Sequence, residues 1–148
     1  MKRFLLFAVC LFAVLTVFAQ TADEIENLLS MDAVSYAQAA RLVLQAAEDR
    51  DMNAEAAFSF AWEKGWLPKG VKPGDMAKLN GLSLLVMKAF DIKGGLFYTY
   101  IGGTNYAYRE LVYLSIIQGR SDPAMPVSGD LLLYTVNRVL SLQEANQL

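Results

Sequence analysis

Apolar residues recur three and four places apart through most of the chain after residue 34, and this spacing marks one face of a helix rather than a strand. The first clear run opens at Ser35-Tyr36-Ala37-Gln38. Ser35 and Gln38 stand at the spacing of a capping box, and Tyr36, Ala39, Ala40, Val43, Ala46 and Ala47 then share a face. A second run sets Ala54, Ala57, Phe58, Ala61 and Trp62 on a stripe that stops at Gly65, with Lys64 where a cation suits the helix end. Trp62 and Trp66 read as core residues at that end. Pro68 to Lys78 is loop, and Lys72-Pro73-Gly74-Asp75 has the residues that a type II turn prefers. Leu79 to Phe90 is the next helix, with a stripe of Leu82, Leu85, Val86, Ala89 and Phe90 that Leu84 and Met87 widen, so this helix is buried on most sides. Gly94 to Gly103 is the least regular stretch: two glycine pairs bracket Leu96 to Ile101, which suits a short helix or a strand-like loop. Thr104 or Asn105 caps a helix from Tyr106 to about Ile117, ended by Gly119, and Ser128 caps a last one from Gly129 to about Gln143. The sum predicts an all-α fold, a compact bundle of repeated helix-loop-helix units.

The chain start differs in kind. Met1-Lys2-Arg3 is followed by an apolar stretch from Phe4 to Phe18, and Val17-Phe18-Ala19 precedes Gln20 with small residues where a signal peptidase reads. About 15 apolar residues is short for a membrane span, and acidic polar sequence follows at once. Residues 1–19 are therefore expected to be a cleavable secretory signal, residues 20–33 a polar segment with a short helix, residues 34–143 the helical domain and residues 144–148 a tail. No transmembrane segment is expected after cleavage. Cys10 follows Val9 rather than a small residue, so no lipid anchor is expected.

Cleavage after Ala19 leaves 129 of the 148 residues, enough for one domain with one core. It removes Lys2 and Arg3 from the 13 basic residues and none of the 15 acidic ones, which gives a formal charge of about −4. A weakly acidic surface repels phosphate, so nucleic acid is not an expected partner. The mature chain contains neither cysteine nor histidine, which removes disulfides, thiolate nucleophiles, imidazole bases and the commonest zinc ligands. No metal or cofactor is expected. An exported chain without disulfides fits a bacterial envelope, periplasmic or extracellular.

The helix-loop-helix from Ala54 to Phe90 can be laid over the one from Tyr106 to Leu140. Trp66-Leu67 matches Ile116-Ile117 at an offset of 50, Leu82 to Phe90 matches Asp130 to Arg138 at an offset of 48, and Ser35 to Ala47 looks like the second helix of a partial third unit whose first helix is missing or replaced by residues 22 to 30. Tyr106-Ala107-Tyr108-Arg109-Glu110 through Ile116-Ile117-Gln118-Gly119 resembles the first helix of an S-layer homology unit, and Ser35-Tyr36-Ala37-Gln38-Ala39-Ala40-Arg41-Leu42 resembles the second. The resemblance covers roughly residues 34 to 142 and implies a pseudo-symmetric trimeric helical bundle. That family uses an arginine and a glutamate of its Thr-Arg-Ala-Glu motif to bind anionic polysaccharide. Laid on this chain, the arginine slot holds Tyr36, Asn80 or Ser128 and the glutamate slot Gln38, Leu82 or Asp130, which implies a scaffold that has lost polymer binding.

Two groups of side chains stand out as candidate chemistry. Tyr98, Tyr100, Tyr106, Tyr108 and Tyr113, with Phe97 and Arg109, combine flat apolar faces with hydroxyls, and the two-residue spacings place partners on one side if the segment is extended. The ordinary alternative is a set of rings covering the core where a loop crosses the bundle. Lys64, Lys69, Lys72 and Lys78 make the loop between the second and third helical runs locally basic, which suits contact with an anionic glycan and equally a solvated loop. The expected binding residues are thus Tyr98, Tyr100, Tyr106, Tyr108, Arg109, Lys69 and Lys72, and the expected partner an envelope glycan or envelope protein. The densest carboxylates, Glu48, Asp49, Asp51 and Glu55, read as a solvated turn and helix start. The chain is expected to be non-catalytic; the alternative is a carboxylate-only glycan hydrolase, which would need two acids facing each other across a cleft.

Overall fold

The computed structural model describes residues 23–118 and 121–148. The expected signal 1–19, the first residues of the 20–33 segment and Gly119 lie outside them. Seven helices and no strand are found among the described residues, so the fold is all-α: α1 (residues 23–29), α2 (Tyr36–Glu48), α3 (Ala54–Glu63), α4 (Leu79–Ala89), α5 (Leu96–Tyr100), α6 (Thr104–Tyr113) and α7 (Gly129–Glu144).

The helix ends follow local chemistry. The capping box of α2 is complete: the Ser35 amide donates to Gln38 Oε1 at 2.8 Å and the Gln38 amide to Ser35 Oγ at 3.2 Å. Asn53 caps α3 by accepting from the Ala56 amide at 2.8 Å, and α3 ends before Gly65, whose φ of 70° is the left-handed conformation glycine takes without penalty. Three sequence expectations need correction. Neither Thr104 nor Asn105 caps α6; the N-cap is Gly103 and Thr104 is already helical. That helix stops at Tyr113 rather than near Ile117, because Ser115 turns left-handed (φ 57°) and the Ile116 amide reaches back to the Leu111 carbonyl at 2.9 Å. The Lys72–Asp75 turn is closed by the expected backbone bond, 3.1 Å, yet Gly74 is not at positive φ. A type II turn requires that conformation; here the Asp75 carboxylate accepts the Lys72 amide at 2.8 Å and closes the turn from the side chain instead.

Three loops meet at the centre of the molecule. The Ala77 amide donates to the Val34 carbonyl (2.8 Å), the Val34 amide to the Val127 carbonyl (2.8 Å) and the Val127 amide to the Ala77 carbonyl (2.9 Å), a closed ring of backbone bonds. None of the three residues has exposed surface, so every amide and carbonyl that water cannot reach here is satisfied within the ring. One residue further on, Ser35, Lys78 and Ser128 are the extended N-caps of α2, α4 and α7. Packed on this centre, α3 lies against α2 and α6 against α4, while α2 also touches α4 and α7. The core runs through all of them, with Leu44, Leu79, Leu82, Leu85, Leu111, Ile116 and Leu132 fully buried.

The ring fixes which residues correspond. Ala77 and Val127 differ by 50, as do the ends of α3 and α6 and the starts of α4 and α7. The starts of α4 and α7 stand 50 apart rather than the expected 48, so Leu82 and Leu132 lie equally far from their helix starts, as do Val86 and Val136. Counted from the N-caps, the S-layer homology resemblance would put its arginine slots at Tyr36, Leu79 and Gly129 and its glutamate slots at Gln38, Gly81 and Leu131. The slots named from sequence hold for α2 alone, because the amphipathic stripe sets a helix face but not its first residue.

Candidate binding surface

Leu96 to Tyr100 is a single helical turn and a half, packed on α6. In a helix, two residues of separation point to opposite sides, and the tyrosines expected to share a side do not. Tyr98 turns inward, 9% exposed, against Gly94, where a Cβ would overlap its ring. Tyr100 turns outward and is 83% exposed. Around it Leu96, Phe97 and Ile101 are exposed as well, so α5 carries a ridge of large apolar side chains into solvent. Its two flanking glycine pairs mark an irregular segment in the sequence, but nothing in the spacing distinguishes the outward set.

The neighbouring rings are ordered by contacts. Phe97 stacks on Tyr106 with centroids 6.3 Å apart and planes 9° from parallel, and the Arg109 guanidinium lies 5.8 Å from the Tyr106 ring. Tyr108, half-buried, donates its hydroxyl to the Ser121 carbonyl at 2.6 Å and so ties α6 to the following loop. Beneath them, the Lys88 ammonium sits 5.5 Å from the Tyr98 ring. Among the described residues the Tyr98 hydroxyl is buried without a hydrogen-bond partner, and burial, with the Glu110 charge nearby, pushes its pKa up.

The structure thus joins Tyr100, Tyr106 and Arg109 to Phe97, Leu96 and Ile101 at one surface. Tyr98 is buried, and Tyr108 is half-buried with its hydroxyl engaged by Ser121. Lys69 and Lys72 are exposed on the loop after α3, and among the described residues no hydrogen bond or ring contact joins them to the tyrosines. Lys72 instead belongs to the turn that meets α2, where the Ala37 amide donates to Pro73 and the Tyr36 amide to Asp75. Trp62, expected in the core, is 43% exposed and stacks at 6.1 Å on Phe58, because it stands at the outer edge of the α3 stripe; Trp66 is half-buried, edge-on to Phe60 at 5.7 Å.

A second feature lies away from the ridge. Between α1, α2 and α7 is a cavity of about 470 Å³ with an apolar wall that includes Leu28, Met31, Leu42, Val136 and Leu140. Its one carboxylate, Glu24, is engaged by Arg41 at 3.1 Å. Among the described residues no cluster of acids could hold a metal ion, and no helix is long and apolar enough to cross a membrane. In comparison with known proteins, no family model matches the chain, and no curated protein or solved structure matches it either.

Proposed function

We propose that this chain is an exported, non-catalytic interaction module of the cell envelope, which docks on an envelope protein through the α5–α6 ridge. The exposure of Leu96, Phe97, Tyr100 and Ile101 on one short helix carries the reading, since a water-facing group of four large apolar side chains marks a contact surface. A glycan is the lesser candidate. Sugars need hydrogen-bonding groups around an aromatic face, and here the ring of Tyr106 is already covered by Phe97 while aliphatic side chains frame Tyr100.

The scaffold is an S-layer-homology-like bundle with pseudo-threefold symmetry. The backbone ring and the offset of 50 shared by α3 with α6 and α4 with α7 support it. The corrected slots, Tyr36, Leu79 and Gly129 with Gln38, Gly81 and Leu131, carry no charge to grip an anionic polymer, so that mode of binding is lost. The single ion-paired carboxylate in the cavity supports a non-catalytic role over two-acid glycan hydrolysis, which needs a facing pair.

The test places a photo-crosslinking amino acid at position 100, with position 147 in the tail as control, in cells exporting the protein. A discrete envelope protein crosslinked from position 100 alone, and lost on Phe97→Ser with Ile101→Ser, is the expected result. Retention on peptidoglycan or a glycan array without a crosslinked protein would favour the glycan reading; neither signal would sink both. Sequencing of the exported protein is expected to begin at Gln20.

A further inference from the structure

Two of the three helices that spring from the backbone ring are covered by a ten-residue helix: α2 by α3 and α4 by α6. On α7 the corresponding flank opens into the 470 Å³ cavity, where its wall is Leu133, Val136, Asn137 and Leu140. At the offset of 50 these positions are Ser83, Val86 and Met87 of α4 and Phe90 just after it, every one buried. On α7 Asn137 is exposed, and Leu133 and Leu140 are half-buried. Among the described residues, the third central helix therefore leaves partly open to solvent positions that are buried on its counterpart.

Once cleaved after Ala19, the chain would have little left ahead of α1 with which to cover it. α1 is held at the start of α7, where the Gly129 amide donates to the Met31 carbonyl at 2.9 Å and the Leu28 carbonyl occupies the space a Cβ at position 129 would need. From there α1 forms one wall of the cavity, which among the described residues stays open. Cleavage after Ala19 would leave Gln20, Thr21 and Ala22 ahead of α1, less than one helical turn.

We propose that this cavity is a seat for one helix of a partner envelope protein, which docks on α7 as α3 and α6 dock on their neighbours. The proposal rests on the reading of the chain as exported and cleaved. The occupied seats define the guest. α3 buries Ala57, Phe58 and Ala61, and α6 sets Ala107, Tyr108 and Leu111 at the same three places. The guest carries alanine, an aromatic residue beside it, and alanine or leucine four places after the first, because a small residue at the crossing lets two helix axes approach to about 8 Å. The Glu24–Arg41 pair leaves the rim without net charge, so contact area and fit decide binding.

The probe is a lactam-stapled peptide with the sequence of Ala54–Glu63, tested by titration calorimetry against the protein recovered after export from a bacterial host. Stapling is needed because free helices of this length are marginal in water. Saturable binding is expected, weakened roughly ten-fold or more when the peptide's two core alanines are lysine. Asn137→Trp, at an exposed position, and Ala46→Phe, at a half-buried one, both fill the seat and should each weaken binding to the same degree without changing the urea midpoint. No binding to the cleaved protein overturns the seat and leaves the ridge untouched. Binding that ignores both fillers also overturns it. If the exported protein keeps residues 1–19 and refuses the peptide while the chain from Gln20 takes it, the chain fills its own seat; the partner proposal then falls together with the cleaved reading.

Discussion

Tyr98 and Tyr36 show how a buried phenol can be used well or badly. The Tyr36 hydroxyl accepts the Lys78 amide at 3.4 Å, whereas the Tyr98 hydroxyl has no partner among the described residues. An orphaned buried polar group costs about 1 to 3 kcal/mol, so Tyr98→Phe should leave stability unchanged or raise it by about 1 kcal/mol in urea unfolding. Both phenols are pushed above the ordinary value of 10.0, mainly by burial, so the folded chain keeps these protons at a pH where the unfolded chain has lost them. Their contribution to stability is whole below about pH 10 and declines as pH rises through the folded values. Urea midpoints compared between pH 9 and 11 should fall more steeply for the native chain than for Tyr36→Phe with Tyr98→Phe; equal slopes would refute the linkage. The same Tyr36 ring explains Gly81, where a Cβ would overlap its hydroxyl and come within 3.0 Å of Pro68. Gly81→Ala should cost about 1 to 3 kcal/mol, partly recovered in a Tyr36→Phe background, since the hydroxyl is the nearest obstacle.

At the scale of the element, what could be read from the residues was whatever local chemistry decides. The Ser35–Gln38 box formed as its spacing demanded, the Gly65 stop holds, and the wide stripe of α4 is buried from Gly81 to Met87. Where a neighbouring element decides, the pattern was silent. The Leu96–Ile101 stretch suited two conformations, and only packing on α6 made it a helix, with Tyr98 turned inward and Tyr100 outward. The site was legible as a cluster of unusual composition, but its facing was not, and Lys69 and Lys72 were grouped with it by sequence alone. Capping gives a direct contrast between two serines at equivalent positions. Ser35 accepts a backbone amide, while Ser128 makes no such bond to α7; its hydroxyl, beside the Asp130 carboxyl, helps hold that group below the usual carboxylate range. Ser35→Ala should therefore cost about 1 kcal/mol by thermal or urea unfolding, and Ser128→Ala distinctly less. Equal losses would mean that the hydroxyl of Ser35 contributes nothing through its cap.

At the scale of the whole molecule, the ring of Val34, Ala77 and Val127 is the feature that sequence could least reveal. Its bonds run between backbone groups of three loops separated by tens of residues, and any side chain small enough to be buried would serve there. The apolar stripes suggest 48 residues between α4 and α7, whereas the helix starts, held next to the ring, stand 50 apart. That closed geometry has a mechanical consequence. Each loop both gives and receives a ring bond, so opening any one unit orphans a buried donor in one neighbour and a buried acceptor in the other. The units should therefore unfold together. Both tryptophans, Trp62 and Trp66, lie in or just after α3, so their fluorescence reports one unit while far-UV circular dichroism reports every helix. In urea the two signals should trace a single transition, with a slope of about 1 to 3 kcal/mol per molar. Replacing Val127 by proline removes the amide that donates to Ala77 and should either abolish folding or split the transition. Leu111→Ala, which opens a cavity beneath α6 without touching the ring, should shift the midpoint downward by about 2 to 5 kcal/mol of stability yet leave the two signals superimposed. Tryptophan emission that changes well before the helical signal in the unaltered protein would mean the ring does not couple the units.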